Sequence, residues 1–119
     1  MPETTLDALA SARLCYLETV GRVSGRPHEI EIWFAVHAGA LYFLAGGGER
    51  ADWVRNIRAN PAVRVRINGQ WLHGSGRIIT GEADDPLARR LLQEKYASSG
   101  EDLTEWARVS TPVRVDRLG

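Results

Sequence analysis

The chain has 119 residues, enough for one domain with a real core and too few for two independent ones. Fifteen basic and fifteen acidic side chains cancel, which argues against a uniformly basic surface for sequence-independent nucleic-acid binding. The single cysteine, Cys15, excludes an intramolecular disulfide and a multi-cysteine zinc centre, and no apolar run is long enough to span a bilayer, so a soluble cytoplasmic protein is expected.

Taken in chain order, residues 3–11 place Leu6, Leu9 and Ala10 at helical spacing behind Thr4 or Thr5 as cap. Residues 1–12 are expected to form an arm or lid on a single domain covering 1–119. The β-favouring run Leu14–Val20 reads as a first strand, and the turn sequence GRVSGRP joins it antiparallel to a second, His28 to Val36. In that second strand Ile30, Ile32, Phe34 and Val36 share a core face, while Glu29, Glu31, Trp33 and Ala35 share the other.

A turn at HAGA leads to a third strand, Ala40 to Ala45, and three glycines, Gly46, Gly47 and Gly48, then interrupt the pattern. A short helix follows with Trp53, Val54 and Ile57 facing inward and Arg50, Arg55 and Arg58 outward, ending at Pro61. Val63, Val65 and Ile67 alternate with Arg64 and Arg66, and Asn68-Gly69 is a strong hairpin turn into a fifth strand. The spacing of Leu87, Leu91, Leu92 and Tyr96 predicts a helix over about 85–98, a second short one over about 102–109, and TPVRVDRL as a sixth strand. Six mostly antiparallel strands in so small a protein are expected to close into a barrel with peripheral helices.

The even charge balance hides a local excess. Between Val20 and Thr80 eight arginines face four acids, and the chain uses arginine fourteen times against a single lysine, Lys95. Codon bias in a GC-rich genome explains that usage without a ligand, although guanidinium also suits phosphate and carboxylate. No zinc-binding spacing, nucleophile elbow or phosphate-loop motif is present, so no metal is assigned. His28, His37 and His73 are scattered, and only His28 lies beside the cationic turn.

What remains is a binding constellation. The turn offers backbone N–H groups, Ser24, Arg22 and Arg26, the chemistry of an anion cradle, although an ordinary solvated hairpin has the same composition. The glycine run adds a close backbone approach, and Arg50 stands at a helix start, where a cation is favoured only beside an anion. Trp33, on an otherwise polar strand face, needs a flat cover: a late helix, a partner subunit or a planar cofactor.

On the stretches TVGRVSGRPHEIEIWF, GGG, WVRNIRANPAVRVRI and EWARVSTPVRV, from about Thr19 to Leu118, the sequence resembles the deazaflavin-dependent nitroreductases of the flavin and deazaflavin oxidoreductase superfamily. The resemblance implies a mainly β fold with peripheral helices, a six-stranded antiparallel split β-barrel of the FMN-binding type. It also implies hydride transfer from reduced coenzyme F420 to a small organic acceptor such as a quinone, an activated alkene or a nitro compound.

Carried over, Arg22, Ser24 and Arg26 would hold the phosphate or tail, with Gly46, Gly47, Gly48 and Arg50 at the glycine loop. His28, Ile30, Glu31 and Trp33 would line the deazaflavin, and Trp53 and Asn56 would support it. Trp33, Tyr96 and Trp106 fall on the substrate side, with Tyr96 the candidate proton donor. The alternatives are FMN in the same groove, or a haem or tetrapyrrole carrier without turnover. Homodimerisation is a further expectation, because split barrels of this superfamily often pair.

Overall fold

The computed structural model describes residues 2–119, with side chains from Leu6 onward. Apolar alternation resolves into seven strands: β1 (Cys15–Val20), β2 (Pro27–Ile32), β3 (Ala35–His37), β4 (Ala40–Ala45), β5 (Ala62–Ile67), β6 (Gln70–Ile78) and β7 (Thr111–Asp116). Four α-helices accompany them, α1 (Pro2–Leu9), α2 (Asp52–Ala59), α3 (Asp85–Lys95) and α4 (Thr104–Val109). All pairs are antiparallel, in the order β2-β1-β5-β6-β7-β4-β3.

The expected six strands become seven because the second one breaks at Trp33-Phe34. Its first part, β2, pairs with β1 at one edge of the sheet, and its second part, β3, pairs with β4 at the other. Two residues therefore carry the chain from one edge of the curled sheet to the opposite one.

Inside the barrel Leu17, Phe34, Leu41, Phe43, Val65, Ile67, Val113 and Val115 are wholly buried, joined by Trp53, Val54 and Ile57 of α2 and by Leu6 and Leu9 of α1. Ile30, Ile32 and Val36 face the same core and are only partly buried. The expected cap at Thr4 or Thr5 lies outside the described side chains, and α1 already begins at Pro2.

A second core lies on the outer face of β3 and β4, where α3 and α4 cover Tyr42, Leu44, Ile79, Leu92 and Tyr96. α3 ends at Lys95, short of the expected 98, and α4 starts at Thr104, because the Asp102 carboxylate lies outside the helix and accepts the Thr104 N–H at 3.0 Å. The far end of α4 is held by Arg89, whose guanidinium donates to the carbonyls of Ala107, Arg108 and Ser110 at 2.7–2.9 Å and pairs with Asp85 at 2.5 Å. Those carbonyls have no partner within the helix. Trp106 is thereby fixed on a short helix that has little intrinsic stability of its own.

Candidate functional site

The turn between β1 and β2 is built by glycine and by one buried amide. Gly25 adopts φ +74°, and a Cβ on Gly21 would lie 2.8 Å from Ser24 Oγ and 3.0 Å from the Arg26 carbonyl, so neither position accepts a side chain without strain. Asn56, buried on α2, donates to Thr19 Oγ1 at 3.0 Å, while its Oδ1 accepts the Arg22 N–H at 3.1 Å and the Arg22 guanidinium at 2.9 Å. Asn56 is thus the post to which the turn is tied. Sequence reasoning gave it a supporting role and missed Thr19, whose only signal was a hydroxyl at an inward position of β1.

The two arginines of the turn differ. Arg22 folds back onto α2 and pairs with Asp52 at 3.2 Å. Arg26 is exposed and, like Arg50 and Arg55, has no carboxylate within 4 Å among the described residues. Gly21, Arg22, Ser24, His28, Asp52 and Asn56 enclose a small polar cavity of about 270 Å³.

Further along β2 the surroundings become apolar. A cavity of about 700 Å³ is lined by Ile30, Glu31, Trp33, Gly46, Trp53 and Trp106, all expected site residues, together with Leu14, Leu44 and Leu103, which were not. Gly46 matters because a Cβ there would stand 3.4 Å from the Trp106 indole nitrogen and reduce the opening. Gly47 and Gly48 do not line this cavity. Gly48 turns the chain with φ +65° into the short Gly48–Arg50 helical turn, and Arg50 points to solvent.

The late helices supply the flat cover over Trp33. The Trp33 ring stacks on Tyr96 at 4.1 Å with 2° between planes, and meets Trp106 edge-on at 5.7 Å. The indole still forms part of the cavity wall.

Tyr96 departs from its expected place on the substrate side. It is wholly buried behind Trp33 and does not line the cavity. Its hydroxyl accepts the Phe34 N–H at 3.1 Å and has the carbonyls of Arg13 at 2.9 Å and Phe34 at 3.2 Å within donating reach. Burial pushes its pKa up, so its proton is both committed and held more tightly.

Beside it, Lys95 Nζ donates to the Phe34 carbonyl at 2.9 Å and stands 3.7 Å over the Phe34 ring. Burial, with the nearby Arg13, pulls its pKa down to about 8. The joint between β2 and β3 is therefore clamped by two consecutive residues, the last of α3 and the one after it. Sequence reasoning missed Lys95, although it is the chain's one lysine among fourteen arginines.

A curled antiparallel half-barrel with helices over one outer face, a polar pocket at one end of β2 and an aromatic cavity at the other is the architecture of a split-barrel protein. The chain belongs to the F420H(2)-dependent quinone reductase family, whose sequence profile matches residues 4–117. Among solved structures it is similar to the F420-H2 dependent reductase FDR-A, with 22% identity, 87% of this chain and 94% of that one covered, and a TM-score of 0.70. It is also similar to the conserved hypothetical protein Rv2991 from Mycobacterium tuberculosis, at 18% identity, 99% and 82% coverage and a TM-score of 0.74. The heme storage protein HutZ from Vibrio cholerae matches at 18% identity, 97% and 89% coverage and a TM-score of 0.68. At these identities the structures speak for the split barrel alone, and the family match carries the class of chemistry. Among the described residues no helix is long and apolar enough to cross a membrane.

Proposed function

We propose that the chain is a reductase that uses reduced coenzyme F420 to reduce a small organic acceptor held in the aromatic cavity. The observation that carries this reading is the gradient along β2. His28 borders the polar pocket, and Ile30 to Trp33 border the apolar cavity. From 28 to 33 the strand rises roughly 16 Å, which suits an elongated ligand with an anionic end and a planar ring.

On this reading Arg26 and Ser24 hold the anionic end, and Arg22 keeps the turn in shape through Asn56 and Asp52. Ile30, Trp33 and Trp53 present apolar surface to the ring, with Glu31 at the rim and Gly46 leaving room beside Trp106. When bound, the reduced deazaflavin supplies a hydride, a two-electron chemistry that belongs to the cofactor. The cavity walls orient the acceptor. With Tyr96 withdrawn behind Trp33, the proton that completes reduction comes from solvent.

None of the three histidines lines the large cavity, which weighs against a haem-binding site there. The test is titration of the purified protein with coenzyme F420, FMN and haem, read by tryptophan quenching. Coenzyme F420 is expected to bind, and Arg26→Ala to weaken it about tenfold, the worth of one charge-assisted hydrogen bond. Unchanged affinity in that variant would remove the turn from the site, and FMN binding in preference to coenzyme F420 would reassign the cofactor.

A further inference from the structure

The aromatic cavity has walls of indole and aliphatic carbon, yet every charged residue that lines it among the described residues is acidic. Glu31 comes from β2, and Glu101 and Asp102 from the segment before α4; no lysine, arginine or histidine among the described residues lines it. Of the three, Glu31 lies within the arginine-rich stretch from Val20 to Thr80, and Glu101 and Asp102 lie beyond it.

The three carboxylates are also uncompensated. Nine others, Glu18, Glu29, Glu49, Asp52, Glu82, Asp84, Asp85, Glu105 and Asp116, lie within 4 Å of an arginine. Glu31, Glu101 and Asp102 have no such partner among the described residues. Asp102 accepts the Thr104 N–H at 3.0 Å, and hydrogen bonding from the Thr104 backbone and side chain holds its carboxyl below the usual range and keeps it ionised.

We infer that the acceptor site selects by charge, admitting planar aromatic acceptors that are cationic or neutral and rejecting anionic ones, with Glu31, Glu101 and Asp102 as the specificity-determining residues. The inference rests on reading this cavity as the acceptor site. Two independent features act in the same direction. Carboxylates over low-dielectric walls repel an approaching anion, and the aromatic wall that Trp33 and Trp106 contribute suits a planar cation better than a planar anion. The separation of roles is then spatial: the cationic turn at one end of β2 receives the anionic end of a ligand, and the acidic rim at the other keeps anions out.

Three naphthoquinones of one size test this: 2-methyl-1,4-naphthoquinone, a 2-sulfonate, and an analogue carrying a trimethylammonium group. Affinities are read by tryptophan quenching without any cofactor, so failure of the coenzyme F420 titration leaves this test intact and the two readings fail separately. The cation is expected to bind at least about tenfold more tightly than the sulfonate, with the neutral quinone between them, and the ratio to shrink to about twofold in about 0.5 M salt.

Glu101→Gln with Asp102→Asn is expected to shrink the ratio in the same way. Asparagine keeps an acceptor for the Thr104 N–H, so α4 is preserved. Glu31→Gln, on a different element, is a second check. Equal binding of sulfonate and cation, no quenching by any of the three, or a ratio that survives all of the substitutions would overturn the inference.

Discussion

Tyr96→Phe separates a structural hydroxyl from a catalytic one. The substitution keeps the ring, and with it the stack on Trp33 at 4.1 Å, and removes only the oxygen. That oxygen satisfies the N–H of Phe34, a residue with no exposure, and donates its one proton to the carbonyl of Arg13 or of Phe34. After the change the Phe34 carbonyl keeps its bond from Lys95, whereas the Phe34 N–H is left in the core without a partner. A stranded buried donor costs about 1–3 kcal/mol and a lost neutral hydrogen bond about 1 kcal/mol, so a loss of roughly 3 kcal/mol is expected. For a chain of this size that is a fall of about 10 °C in Tm. Calorimetry and urea unfolding followed by tryptophan fluorescence measure it. Turnover at a temperature where both proteins are folded should stay within a few-fold of wild type. A variant within about 0.5 kcal/mol of wild type that has lost its turnover would refute the clamp and restore Tyr96 as a proton donor.

Asn56→Ala removes the post of the first turn, leaving the Thr19 hydroxyl and the Arg22 N–H without their partner; a loss of about 2–3 kcal/mol is expected, with a several-fold weaker coenzyme F420 titration, both checked on one preparation. Stability should also rise between pH 8 and 9. Lys95 has a pKa of about 8 in the folded chain against an ordinary 10.5, so above pH 8 the unfolded chain holds a proton the folded one has released, and stability increases with pH. The gain is roughly 0.5–1 kcal/mol, since partial solvent screening reduces the full value. Above pH 9 Cys15 acts oppositely, because burial raises its pKa from 9.0 to about 12 and the unfolded chain then loses a proton the folded one keeps. Urea midpoints at pH 7, 8 and 9 should show the rise in wild type and none in Lys95→Met.

The elements were legible where local chemistry decides them. Val63, Val65 and Ile67 alternate, and Asn68-Gly69 turns the hairpin with φ +51° and +79°, as the dipeptide predicts. The break in the second strand was not legible, for a definite reason. Ile30, Ile32, Phe34 and Val36 all face the inner core on both sides of the joint. Alternation records which way a side chain faces, not which strand the backbone pairs with, so a strand that changes partners without changing face shows no signature.

The site divides in the same way. Of the expected residues clustered in sequence, Arg22, Ser24, His28 and Asn56 line the polar pocket and Ile30, Glu31, Trp33, Gly46 and Trp53 line the cavity, whereas Arg26, Gly47, Gly48 and Arg50 line neither. Lys95, Glu101 and Asp102 arrive through packing of the late helices, and the bond from Lys95 to Phe34 spans 61 residues. No local pattern announces a contact of that kind.

The joint at Trp33-Phe34 links these two levels. Successive residues of an extended chain point to opposite sides, so Phe34 enters the barrel while Trp33 faces the helical layer and the cavity. The peptide between the two cores is held by Tyr96 and Lys95. A change at the end of α3 therefore reaches the cavity wall through a single residue, without passing through the sheet. Because Phe34 is wholly buried in a close-packed interior, the joint has little freedom to relax independently of either core. The residue that joins β2 to β3 thus also sets where the Trp33 indole stands in the wall of the candidate acceptor site.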